Sequence, residues 1–146
     1  MFSNIVVGTD GSETAKLALA LASDLAIQHG AVLHVVNVYK VPAGGAGVVQ
    51  AGPMALAHVE LGVEIFESSS KDILAEAVKL TGAAKVETHS RKGEPANTLI
   101  KVATEVGADV IVVGSKGMRG ARRMIGSVPN SVAHRAPCHV LVAKTD

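Results

Sequence analysis

The chain has little that would mark a secreted, membrane-bound or nucleic-acid-binding protein. Its one cysteine is Cys138, which excludes an intrachain disulfide. A thiol inside an apolar run reads as an inert core group. Tryptophan is absent, and the aromatic residues are Phe2, Tyr39 and Phe66. So few rings leave no stacking platform for single strands. Fourteen Lys and Arg against thirteen Asp and Glu give a formal net charge of +1, with no broad basic field for a duplex. No apolar run approaches the roughly 20 residues that span a bilayer, and no charged-then-apolar leader opens the chain. A cytoplasmic protein with neither membrane nor nucleic acid as partner is expected.

The 146 residues fit one domain over 1–146, with a core of Ala, Val, Leu and Ile. Residues 2–8 read as a short buried strand ending in a glycine turn. Ser12 is suited to cap a helix, with Glu13 complementing its positive end. That helix carries Leu17, Ala20, Leu21 and Leu25 at helical spacing and should stop near Gly30. Residues 31–38 form a second apolar strand. Residues 42–53, with four glycines and two prolines, read as a mobile loop. Residues 56–80 fit a long helix with Leu61, Ile65, Ile73, Ala77 and Leu80 inward, ended by Gly82. Residues 85–90 alternate like a more exposed strand. A helix over 95–106 closed by Gly107, a strand over 109–113, a helix over 127–136 and a strand over 139–143 complete the order. Strands alternating with helices imply a parallel, doubly wound sheet in a three-layer α/β sandwich. Ligands of such sheets bind beyond the carboxyl ends of the strands, where strand order switches. If the first and fourth strands are neighbours, Asp10 and Gly114 face one crevice.

The segment after the fourth strand carries the chemistry. The β-branched run stops at Gly114, and Gly117, Gly120 and Gly126 follow before Ser127 opens the last helix. Glycines let backbone N–H groups approach a ligand, and a helix start adds free donors and partial positive charge. Together they make an anion cradle suited to phosphate. The spacing matches neither a P-loop nor the dinucleotide fingerprint. Lys116, Arg119, Arg122 and Arg123 border the cradle as either a solvated face or phosphate partners. Asp10, between Thr9 and Gly11, suits either ribose hydroxyls or its own turn backbone. The six histidines (His29, His34, His58, His89, His134 and His139) show no metal-ligand spacing and read as structural. No metal site and no catalytic triad can be assembled from local signals.

Along essentially its whole length the sequence resembles the universal stress protein family. The resemblance rests on Ile-Val-Val-Gly-Thr-Asp-Gly-Ser at 5–12, Ala-Asp-Val-Ile-Val-Val-Gly-Ser-Lys-Gly at 108–117, Gly-Ser-Val at 126–128 and Ala-Pro-Cys-His-Val-Leu-Val at 136–142. The family motif is Gly-x2-Gly-x9-Gly-Ser/Thr. Here eight residues, not nine, separate Gly117 from Gly126, which shortens the turn while keeping both ends of the cradle. The resemblance implies a five-stranded parallel sheet of the adenine nucleotide alpha hydrolase-like kind. It implies ATP or another adenine nucleotide such as cyclic AMP as ligand, with magnesium as an accompanying ion. By position, Thr9 and Asp10 would hold the nucleoside, and Val38 would touch the adenine. Val113 and Gly114 would line the ribose side, and Gly117, Gly126, Ser127 and Val128 would wrap the phosphates. It also implies a homodimer paired through the last strands, and Val140-Leu141-Val142 would be an exposed apolar edge unless covered.

The function expected is a nucleotide-binding stress-response regulator rather than an enzyme. Phosphate donors are present, but no evident general base or water-orienting side chain accompanies them. A slow nucleotide hydrolase and an interaction module without ligand are the alternatives. Adenylyl-transfer signatures such as His-x-Gly-His and Ser-Gly-Gly-x-Asp are absent from the sequence.

Overall fold

Residues 5–7 and 110–113 are at most 4% exposed, so these two runs are covered on both faces. Strands buried that way need helices above and below them, which is the setting of a parallel sheet. The computed structural model describes residues 1–42, 53–116 and 127–145. The order of elements is β1 (Asn4–Gly8), α1 (Glu13–His29), β2 (Val32–Tyr39), α2 (Pro53–Leu80), β3 (Val86–Lys92), α3 (Pro95–Val106), β4 (Val110–Gly114), α4 (Ser127–Arg135) and β5 (His139–Ala143).

The five strands lie in the order β3-β2-β1-β4-β5 and every pair is parallel. The chain first builds outward from β1 through β2 to β3. It then returns to the other side of β1 for β4 and β5. The switch therefore falls between β1 and β4, where Ile5, Val6 and Val7 stand beside Val110, Ile111 and Val112. The adjacency on which a shared crevice depends is present.

Two apolar layers hold the sheet. On one face α1 and α2 bring Leu19, Ala22, Ala26, Leu74 and Ala77 against the sheet residues Ile5, Val7, Leu33, Val35 and Val112. On the other, α3 and α4 bring Leu99, Val102 and Val132 against Val6, Val36 and Ile111. Alternation along each strand sends neighbouring residues to opposite layers.

Ser12 caps α1 by accepting a hydrogen bond from the Ala15 N–H at 3.2 Å, and Gly30 closes that helix with φ 62°. Gly107 closes α3 the same way, with φ 62°. These start and stop signals are where the sequence put them. The inward faces are so only in part: Leu21 and Leu25 pack partly buried against the core, and Ala77 is buried. The buried stripe of α1 is Ala18, Leu19, Ala22, Ser23 and Ala26, while Leu17 is 53% exposed. The small residues let the helix approach the sheet closely, so packing distance outweighs leucine spacing. Likewise α2 buries Ser70, Leu74 and Ala77, whereas Leu61, Ile65 and Leu80 stand more than half exposed. The loop expected over 42–53 falls mostly on residues 43–52, outside the described residues.

Candidate functional site

The carboxyl end of β1 runs straight into a hydrogen-bonded turn. The Thr9 N–H donates to the Val36 carbonyl at 2.8 Å, and the Thr9 carbonyl accepts from Asn37 Nδ2 at 2.7 Å. These bonds fasten the segment to β2. Thr9 Oγ1 accepts from the Gly11 N–H at 3.2 Å, and Asp10 Oδ1 accepts from the Ser12 N–H at 2.9 Å. Gly11 has φ 79°, a conformation that a side chain would strain. Asp10 thus forms its own turn with one oxygen. Among the described residues no hydrogen bond occupies Oδ2. The turn reading of Asp10 is therefore met by Oδ1 alone.

The end of β4 is held by the chain beyond β5. The Ser115 N–H donates to the Ala143 carbonyl at 2.8 Å. Thr145, 5% exposed, stands with Oγ1 at 3.1 Å from Ser115 Oγ and accepts from the Lys116 N–H at 3.3 Å. Its own N–H donates to Ser115 Oγ at 3.1 Å. A Cβ on Gly114 would stand 3.1 Å from Thr145 Cγ2, so glycine lets this clamp close.

The two strand ends open on one crevice. Thr9 and Asp10 line it from β1, Val36 and Val38 from β2, and Val113 and Gly114 from β4. Helix α3 contributes Pro95 and Leu99, and α4 contributes Val128 and Pro129. Its lining combines apolar residues, Val36, Val38 and Leu99 among them, with the polar residues Asp10, Ser12, Thr14 and Lys116.

Of the residues expected here, Thr9, Asp10, Val38, Val113, Gly114 and Val128 come together. Ser127 begins α4 but is exposed and does not line the crevice. Gly117 and Gly126, with Gly120, Arg119, Arg122 and Arg123, lie outside the described residues. The sequence missed Pro95 and Leu99, because the helical pattern of α3 says nothing of where its first turns point. It also missed Thr14 and Ala15, which follow an evident cap and sit at the crevice for that reason.

Three titratable groups away from the crevice are shifted by burial. Burial, followed by the negative charge of Asp109, pushes the Cys138 thiol up, so it stays protonated and unreactive at neutral pH. Burial holds His34 and His89 below the ordinary histidine value.

The family model described as "Universal stress protein family" matches residues 1–144. A Thermus aquaticus protein named "Universal stress protein in QAH/OAS sulfhydrylase 3'region" is 33% identical over 153 aligned positions, covering 99% of this chain and 100% of that protein. The crystal structure of a universal stress protein in complex with cAMP aligns with TM-score 0.68 and 29% identity, covering 99% and 98% of the two chains. A universal stress protein from Archaeoglobus fulgidus in complex with dAMP aligns with TM-score 0.58 and 25% identity, covering 96% of each chain. With the sheet order and the matched length in agreement, this chain belongs to the universal stress protein family.

Proposed function

We propose that the crevice between β1 and β4 binds an adenine nucleotide and that the protein acts as a ligand-responsive regulator in the stress response, not as an enzyme. The observation that carries this reading is the position of Asp10. It lines the crevice at the switch point, its Oδ1 accepts the Ser12 N–H of the turn, and its Oδ2 has no hydrogen-bond partner among the described residues. A carboxylate fixed this way accepts hydrogen bonds from paired ribose hydroxyls. The apolar side chains of Val36, Val38 and Leu99 in the lining suit contact with a purine. The phosphates would extend past Gly114 toward the start of α4, where backbone donors and Lys116 favour negative charge. Two relatives by structure carry cAMP and dAMP in their crystals, which supports adenine as the base.

ATP is the ligand proposed first, with cyclic AMP as the other member of the same class. Magnesium would ride on the phosphates rather than on the protein, because Asp10 is the lone carboxylate among the described residues of the crevice. The same scarcity speaks for little or no hydrolysis, since among the described residues no second acidic or histidine side chain lines the crevice to orient water. The cytoplasm is the proposed compartment, and no helix among the described residues is long and apolar enough to cross a membrane. Leu141 and Val142 are 36% and 46% exposed on the edge strand β5, which supports the proposal of a homodimer closed through that strand.

Isothermal titration of the full chain with ATP, ADP, AMP and cyclic AMP tests the reading, with phosphate release followed in parallel. Saturable heat with adenine nucleotides and negligible turnover is expected. Folded protein that gives no heat with any of the four overturns it.

A further inference from the structure

The register of the sheet gathers a second group of polar side chains that sequence spacing does not reveal. β2 pairs with β3 so that His34 stands opposite Glu87 and Val36 opposite His89. His34 also stands opposite Val6, a residue of the α3–α4 layer. Residues 34, 87 and 89 therefore share that side of the sheet. His34 is 3% exposed, His89 is half-buried and Glu87 is exposed.

Their donor atoms converge. His34 Nδ1 lies 3.0 Å from His89 Nε2 and 3.4 Å from Glu87 Oε2. All three donor atoms fall within 4.8 Å of one another. On the far side of the ring, His34 Nε2 stands 3.1 Å from Asn4 Oδ1. An amide oxygen only accepts, so His34 Nε2 carries the proton and Nδ1 presents a bare lone pair toward His89 and Glu87.

We propose that His34 Nδ1, His89 Nε2 and the Glu87 carboxylate form a binding site for a divalent transition-metal ion of the zinc type, with water completing the coordination. Two imidazoles and one carboxylate are a borderline donor set, suited to zinc rather than to magnesium or calcium. Tetrahedral bonds of about 2.0–2.1 Å place neighbouring ligand atoms roughly 3.3 Å apart. The two separations above bracket that spacing. A shift of a few tenths of an ångström between His34 and His89 admits the ion, and the exposed Glu87 swings to meet it. Asn4 holds the buried ring in the coordinating tautomer, which is the usual role of an outer partner. Burial also keeps both imidazoles neutral at pH 7, the form that coordinates. In the free protein His89 Nε2–H donates to His34 Nδ1. On binding, the His89 proton transfers to its own Nδ1, so neutral rings release no net proton. None of the three residues lines the crevice, so the site stands independently of the nucleotide reading.

Metal-stripped full-length protein, titrated with zinc against a competing chromophoric chelator, tests the site. One tight equivalent per chain is expected. His89→Ala should weaken it by about 100-fold or more and Glu87→Gln by roughly 10-fold. His134→Ala, on an exposed position of α4, should leave it unchanged. If His89→Ala fails to fold, the exposed Glu87→Gln decides. Ring signals of His34 and His89 in nuclear magnetic resonance should move on zinc addition. Wild-type protein that retains no zinc, affinity unmoved by His89→Ala or by Glu87→Gln, or shifts confined to other histidines would overturn the proposal.

Discussion

The hydroxyl oxygens of Thr145 and Ser115 lie 3.1 Å apart, joining the chain just beyond β5 to the chain just beyond β4. Thr145 Oγ1 also receives the Lys116 N–H. The residues just beyond β5 therefore set the backbone on one side of the crevice. Thr145→Val keeps most of the volume but removes both contacts. It should cost about 1–2 kcal/mol, as expected when buried partners are left unpaired. Urea unfolding should show a lower midpoint with an unchanged slope.

Asp10 has two duties that one substitution separates. Asp10→Asn keeps Oδ1 for the Ser12 N–H and should leave thermal stability nearly unchanged. It removes the charge that strengthens bonds to ribose hydroxyls. Adenine-nucleotide affinity should fall by about 10-fold, the loss of roughly 1.4 kcal/mol. Parallel calorimetry and thermal melting of the two proteins check both halves.

The strand starts contain an acid-sensitive tie. Asp109 Oδ2 accepts the Ser3 N–H at 2.6 Å and the Asn4 N–H at 2.9 Å. The bond from Asn4, then that from Ser3, hold its carboxyl below the ordinary carboxylate range. A folded-state value below the unfolded one means stability present above the unfolded value, about 3.9. That stability is lost as pH falls through the folded value. Asp109→Asn should lower the denaturation midpoint at neutral pH. The wild-type and variant midpoints should converge as the pH is taken down through the carboxylate range.

The corrected face of α1 gives a direct contrast. Leu19 is 1% exposed and Leu17 is 53% exposed. Leu19→Ala should cost about 2–5 kcal/mol by leaving a core cavity. Leu17→Ala should stay within roughly 0.5 kcal/mol of wild type. Chemical denaturation of both variants reads the difference.

These residues also show what the sequence could and could not reveal. Ser12, Gly30 and Gly107 act through local backbone geometry, so the starts and stops of helices were legible. The β-branched runs of β1 and β4 announced buried parallel strands. Leu17 misled because a helix beside a flat sheet favours small residues at its contact line. Here Ala18, Ala22 and Ala26 occupy it. Thr9, Asp10, Val38, Val113, Gly114 and Val128 were expected through the family resemblance, and strand ends and the start of α4 bring all six to one crevice. Leu99 was not, since its arrival depends on how α3 packs. The cluster of His34, Glu87 and His89 was hidden for the same reason. Its members are 53 and 55 positions from His34 in sequence (87 − 34 and 89 − 34), and only the pairing of β2 with β3 unites them.

The most direct measurement of the central claim is a titration of isotope-labelled protein with ATP and with cyclic AMP, followed by backbone amide resonances. Saturable shifts concentrated at Thr9, Asp10, Val38, Gly114 and Val128 are the predicted result. Amides at those positions that stay still while the protein is folded, or shifts gathered on another surface, would contradict it.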